Sequence, residues 1–281
     1  MEVIEAQRRK NLWFSRRRRL LLKVVQKFWT PSVIDRVHLD YFPYPHYAYG
    51  VYVSCMQARM LGHSVTTVIE FGVAGGNGLI ALENAALQIG SALDVEVDVL
   101  GFDNGEGMPP SSDVRDMVYW YRPTAFKMDF PRLKERLKKA RLFIGLIHET
   151  VVEATRNLRG PIGFCSFDMD YYTATADALR IFDAPSETRQ PRVMIYADDI
   201  FGVHDLNIVC SSVGEERAFA DFNATHPDLK IQTVRGLRHK RPVVAKWNDQ
   251  MFALHDFAHP FYNTPINPAS PTVSTELNRL R

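Results

Sequence analysis

Of the 281 residues, 46% are apolar, 23% charged and 11% aromatic, with 16 Gly and 16 Pro; this excludes collagen-like, mucin-like and wholly disordered chains and suffices for a full α/β core. No run nears the ~18 consecutive apolar residues of a spanning helix, and the three scattered cysteines, Cys55, Cys165 and Cys210, lack disulfide or metal-site spacing, so a reducing cytoplasmic setting is expected. The net charge of +2 is uneven: residues 1–30 hold nine Lys and Arg against two Asp and Glu, while in the remainder 30 acidic residues face 25 basic ones.

In chain order, the basic arm reads as an amphipathic helix with Leu20, Val24 and Phe28 on one side, ended by Thr30-Pro31-Ser32. It is not a secretory signal, because Lys23 interrupts the short apolar run after Arg16–Arg19, and Glu2 and Glu5 argue against a transit peptide. Residues 8–27 suit either a plain cationic surface or contact with an anionic one. The aromatic stretch Tyr41–Tyr49 contains Pro43 and Pro45, is expected to avoid regular helix, and serves as a packed wall or as a lid.

From residue 50 the pattern alternates. A helix near 50–61 precedes a strand over 65–69, a glycine-rich turn and a helix over 79–89. Strands follow over 95–100, 142–147, 161–167 and 193–197, with helices near 131–140 and 172–183. Two more strand-like runs, 229–234 and 251–255, flank a helix near 215–225. Such alternation predicts a mostly parallel sheet with helices on both faces. The division expected is an arm and aromatic cap over 1–49, one α/β domain over 50–270 and a mobile tail over 271–281.

In an open parallel sheet, ligands bind where strands end. Glu70-Phe71-Gly72, Asp103, His148, Asp168-Met169-Asp170 and Asp198-Asp199 all follow apolar runs. The turn Glu70–Gly78 places glycines at 72, 75, 76 and 78, so it is not the dinucleotide G-x-G-x-x-G; an acid two residues before the first glycine is the pattern of S-adenosylmethionine binders. Asp103 is placed to accept from two ribose hydroxyls. Asp168, Asp170, Asp198 and Asp199 leave two strands that, as neighbours, would end about 5 Å apart, a convergence that needs a cation. All-oxygen ligands favour Mg²⁺ over zinc, although a metal-free acid network is also open.

At these motifs the chain resembles a class I S-adenosylmethionine-dependent methyltransferase, of the metal-dependent macrocin O-methyltransferase type that methylates sugars. The family's E-x-G-V-x-x-G-x turn stands here as Glu70–Asn77 and its D-S-F-E-G-L-P-like segment as Asp103–Pro109. Its D-x-D-x-Y-x-S-T segment is Asp168–Thr175, and its terminal acid pair is Asp198-Asp199. Gly145–Thr150 fits the family's G-x-x-x-D-T with Glu149 replacing Asp, whereas Arg189–Arg192 lack the usual Pro-Gly-Gly. The resemblance covers about half of the chain. It implies a Rossmann-like methyltransferase fold with a seven-stranded, mostly parallel sheet.

The same resemblance implies that Glu70, Gly72, Ala74, Gly76, Asn77, Asp103, His148 and Asp168 bind the cofactor, that Asp168, Asp198 and Asp199 hold Mg²⁺, and that Asp170 is the base. His204 is an alternative base, five residues past Asp199. Tyr171 and Tyr172 border the acceptor or pack behind it, and His255, His259 and Tyr262 read as a structural corner. The function implied is methyl transfer to a hydroxyl of a sugar, glycan or natural-product glycoside. An RNA or protein methyltransferase using the basic arm is an alternative, although the acidic body and the absence of an Asn-Pro-Pro-Tyr-like motif make nucleic acid an unexpected partner. A non-catalytic binding module is the other. An oxidoreductase would need the missing glycine fingerprint and a Tyr-x-x-x-Lys pair. The apolar stripe of the arm would allow exchange onto a second subunit, and a homo-oligomer is expected.

Overall fold

Seven strands hydrogen-bond into one sheet: β1 (Val65–Phe71), β2 (Glu96–Asp103), β3 (Arg141–Ile144), β4 (Ile162–Phe167), β5 (Arg189–Ala197), β6 (Leu229–Thr233) and β7 (Met251–Asp256), in the order β3-β2-β1-β4-β5-β7-β6. The computed structural model describes residues 30–266; the basic arm before Thr30 and the tail over 271–281 lie outside the described residues. Pairing is parallel from β3 through β5 and antiparallel where β7 meets β5 and β6. The sheet is therefore mostly parallel, as the alternating sequence pattern led one to expect.

The helices are α1 (Val33–His38), α2 (Pro45–Met60), α3 (Asn77–Leu93), α4 (Phe130–Arg136), α5 (Ile147–Thr155), α6 (Tyr172–Leu179), α7 (Gly214–Thr225) and α8 (Leu237–Lys240). Strand side chains alternate faces, so consecutive residues feed two different cores. Val68 and Phe164 join Val51 and Cys55 of α2 and Leu79, Leu82 and Ile89 of α3 on one face. Ile69 and Cys165 join Val151 of α5, Leu179 of α6 and Phe219 and Phe222 of α7 on the other. Each such fully buried side chain contributes about 1.5–3 kcal/mol, and apolar residues on both faces explain why the strands read as continuous apolar runs. No described helix is long and apolar enough to cross a membrane.

Four elements differ most from the sequence-based expectation; the helix expected near 131–140 stops at Arg136, after which Leu137 takes up extended backbone. The aromatic stretch is not free of helix, because α2 begins at Pro45 and takes in residues 45–49. Proline is at ease in a first helical turn, where its missing N–H would lack a partner in any case. The third strand stops at Ile144, not Ile147; Gly145 turns at φ 147° and α5, which periodicity did not announce, starts at Ile147. The helix expected to reach 183 ends at Leu179 and tightens into a 3₁₀ turn, Arg180–Asp183.

The order of the sheet changes direction between β1 and β4: β2 and β3 extend to one side, β4 and β5 to the other. At such a switch point the loops leaving the carboxyl ends diverge and open a crevice. Every acidic motif singled out from the sequence lies at that edge.

Candidate functional site

The crevice is a cavity of about 520 Å³ over the carboxyl ends of β1, β2 and β4, which is within the usual range for small-molecule sites. Its floor is the turn after β1. Gly72 has φ +86°, and a Cβ there would stand 1.9 Å from the carbonyl oxygen of Asp168, so only glycine lets β1 and β4 exit side by side. The turn closes with the Gly76 N–H donating to Val73 O at 2.8 Å, and α3 starts directly behind it.

Asp103, at the end of β2, organises this turn. Its Oδ2 accepts from the backbone N–H of Val73 at 3.0 Å and Ala74 at 2.8 Å, and its Oδ1 from Gly105 at 2.6 Å. A carboxylate has about four acceptor positions, so one is left toward the cavity that Asp103 lines. Turn-holding comes before any ribose contact.

Glu70 is buried at 1% exposure, yet it faces the cavity. The Tyr47 hydroxyl donates to its Oε1 at 2.6 Å and in turn accepts from Ser166 Oγ at 3.0 Å. Its Oε2 has no hydrogen-bond partner among the described residues. Burial pushes the Glu70 carboxyl well above the usual range, against the Tyr47 hydrogen bond and with help from the Asp168 and Asp103 charges. A buried carboxylate oxygen without a donor, facing a cavity, is a site for a cationic or N–H-bearing ligand. Gly78 makes room for it, since a Cβ at that position would fall 1.9 Å from Glu70 Oε1.

Ala74, Gly76 and Asn77, named from the sequence as cofactor-binding, also line the cavity. His148 sits in the first turn of α5 at its rim, half exposed, with Nδ1 3.6 Å from the Asp177 carboxylate.

The acid motifs converge at one end. Asp168, Asp198 and Asp199 each offer an oxygen, all within 4.8 Å of one another. Asp168 follows β4 and the pair follows β5, whose ends are adjacent in parallel register. The Tyr196 hydroxyl donates to Asp198 Oδ1 at 2.5 Å, and Gln250 Nε2 donates to the Asp198 carbonyl at 2.6 Å. Asp199 Oδ2 is buried with no partner among the described residues. Asp168 opens to solvent through the cavity, yet protein encloses it on its other sides. Withdrawal from bulk water, and then the charges of Asp199 and Asp198, push its carboxyl well above the usual range. Asp199 is raised likewise, by burial first and then by Asp170 and Asp198.

Asp170 completes the cluster from a strained backbone, φ +60°, and lines the cavity. Burial raises its carboxyl to about 6, against the pull of the nearby Tyr121 hydroxyl and with help from the Asp168 charge. His204 does not line the cavity. It stacks on Trp120 with ring centroids 5.6 Å apart, and its Nδ1 accepts from the Leu206 N–H at 3.1 Å. Tyr171 is buried and borders the cavity, whereas the Tyr172 hydroxyl donates outward to Asp221 at 3.0 Å. His255 bonds Tyr262 and His259 bonds Arg189 O, a structural corner as expected.

Sequence reasoning missed Tyr121 and Glu215, and named Tyr44 and Tyr47 only as part of an aromatic wall or lid. Tyr44 and Tyr47 border the cavity because α2 begins early. Tyr121 comes from the irregular stretch after β2, where no periodicity marks it. Glu215 carried a signal: it lies three and four residues before Ala218 and Phe219, on the apolar face of α7, where a charge is out of place.

No family model matches the chain, and neither does any curated protein. Among solved structures it is similar to the calicheamicin methyltransferase CalS11, at 20% identity over 74% of this chain and 77% of that one, with TM-score 0.46. It is also similar to an O-methyltransferase from Bacillus cereus in complex with SAH, at 16% identity over 83% and 96% of the two chains, TM-score 0.40. TomG, an O-methyltransferase from Streptomyces achromogenes, is 14% identical over 73% and 78%, TM-score 0.39. In its sheet order, glycine turn and acid motifs, the chain resembles the class I S-adenosylmethionine-dependent methyltransferases.

Proposed function

We propose that this protein is an S-adenosylmethionine-dependent O-methyltransferase, assisted by a divalent cation such as Mg²⁺, acting on a hydroxyl of a sugar, glycan or natural-product glycoside. The observation that carries the reading is the meeting of Asp168, Asp198 and Asp199 within 4.8 Å, in the same crevice as the glycine turn and Glu70. The donor set fits a hard cation, since it is all oxygen and includes a buried Asp199 oxygen lacking a partner. The other end fits the methyl donor, because Glu70 Oε2 lacks a donor among the described residues and Gly75 leaves open space beside the turn. The sugar acceptor rests on the Asp168–Thr175 and Asp198-Asp199 motifs.

When bound, the ion supplies charge that stabilises a developing alkoxide, and S-adenosylmethionine supplies the electrophilic methyl. Asp168, Asp198 and Asp199 would hold the ion; Glu70, Asp103 and the backbone surface of the turn would hold the donor. Asp170 takes the acceptor's proton on its carboxylate. A bound cation beside it would favour the ionised carboxylate, the form that accepts a proton. The nearby Tyr121 hydroxyl lowers the pKa of that carboxylate. The base role falls to Asp170 rather than His204, whose Nδ1 is already committed to Leu206. Tyr44, Tyr47 and Met108 wall the crevice and limit water. Orientation is then the main contribution of the fold.

The test is transfer of labelled methyl from S-adenosylmethionine to a panel of glycosides and glycans, with Mg²⁺ and with EDTA. Transfer to a hydroxyl that stops in EDTA and returns on adding Mg²⁺ is the expected result. Transfer indifferent to EDTA would remove the cation from the mechanism, and modification of nitrogen would refute O-methylation.

A further inference from the structure

We infer that Glu215 is a positioning residue that sets the spacing of the proposed cation ligands; the inference rests on the reading above. Glu215 opens α7 and has no exposed surface. Its Oε1 accepts from the Met169 N–H at 3.3 Å and its Oε2 from the Asp199 N–H at 3.2 Å. Met169 lies between Asp168 and Asp170, and Asp199 is itself a proposed ligand. One planar carboxylate therefore spans the exits of β4 and β5 from behind.

The need for such a brace follows from where the sheet stops. The Asp168 N–H still donates to Phe71 O and the Asp198 N–H to Phe167 O, both at 3.0 Å. Past those bonds the ladder no longer ties one acid loop to the other. Asp168, Asp198 and Asp199 repel one another, which spreads the loops unless their backbones are fixed. A carboxylate is suited to the task because its two oxygens sit at a fixed separation and each can take one amide. Its own placement is unfavourable, since a fifth acid is buried beside Asp168 and Asp199 on a helix face otherwise occupied by Ala218, Phe219 and Phe222. An apolar side chain would pack there but would leave the Met169 and Asp199 amides without acceptors. Supporting groups of this kind typically change metal affinity 10–100-fold when removed.

The experiment compares wild type, Glu215→Gln and Glu215→Asp as full chains, titrating each with Mn²⁺ and separately with S-adenosylhomocysteine. The amide of Gln offers one acceptor and turns an NH₂ toward the other N–H, and Asp withdraws the fork by one methylene. Both variants should bind Mn²⁺ about 10–100-fold more weakly, with S-adenosylhomocysteine affinity within about twofold of wild type. Equal losses for both ligands would mean a general structural role and overturn the inference. Mn²⁺ affinity unchanged in either folded variant would overturn it as well. Wild type that binds no Mn²⁺ would instead refute the cation reading, and the brace with it.

Discussion

Replacing Gly72 and Gly75 by alanine, one at a time, separates the frame of the crevice from its contents. Gly72 sits at φ +86°, and an added Cβ would lie 1.9 Å from Asp168 O and 2.8 Å from the Asp168 carbonyl carbon. The left-handed backbone costs a non-glycine residue about 1–2 kcal/mol, and overpacking against backbone about 1–3 kcal/mol more. A loss of about 2–5 kcal/mol should lower Tm by at least about 4 °C for a domain of this size. Because Asp168 must move, Mn²⁺ affinity should fall with stability. Gly75 differs: among the described residues no atom lies within 4 Å of its added Cβ, its φ is not in the left-handed region, and it lines the crevice. Gly75→Ala should hold its stability within about 0.5 kcal/mol while S-adenosylhomocysteine binding weakens at least about tenfold, since the methyl enters ligand space. Thermal unfolding with EDTA and calorimetric titration with S-adenosylhomocysteine read the two effects. A Gly72→Ala Tm within about 1 °C of wild type would refute the packing argument. Undiminished ligand affinity in Gly75→Ala would place the cofactor elsewhere.

Tyr121→Phe removes the hydroxyl that holds Asp170 down, so the acid limb of the rate profile should move to higher pH by about one pH unit; an unmoved limb would argue against Asp170 as the base. The ion should stabilise the protein more at higher pH. Asp168, Asp170 and Asp199 are raised above their unfolded values, Asp170 to about 6, so the ion-free native state holds extra protons and loses stability as pH rises through those values. Mg²⁺ relieves the repulsion, and the Tm difference between Mg²⁺ and EDTA should widen from pH 5 to 8; a constant difference would be a refutation. His46, held down to about 4 chiefly by burial, has the opposite pH sign and largely cancels in that difference. Asp256→Ala leaves the buried Arg189 guanidinium without its carboxylate at 2.8 Å, and should cost about 3–5 kcal/mol in chemical denaturation while leaving S-adenosylhomocysteine affinity intact.

The sheet was legible because its strands are short, β-branched or aromatic, and buried on both faces; Val65–Ile69 and Pro161–Phe167 needed no tertiary information. The acid motifs were legible for a related reason: a polar residue directly after a buried strand has only the sheet edge to occupy. Tyr121 was not, since it reaches Asp170 from a stretch shaped by its packing with Met108, Met117 and Tyr171 rather than by any repeat. The start of α2 was misread because proline was weighed as a helix breaker without regard to position. Glu215 stood on an apolar helix face in plain view, but one misplaced charge in twelve residues says only that something polar lies opposite, not what.

The reversal of β7 has a practical consequence for handling the molecule. Because it runs against β5, its first residue, Met251, pairs with Tyr196 near the acid edge, while His255 pairs with Arg192. The crevice thus receives Gln250 from the entry of β7, and the described chain past Asp256 departs from the opposite rim, about 20 Å away at roughly 3.4 Å per residue. A surface anchor or reporter attached through that rim would leave the mouth of the crevice facing open solution.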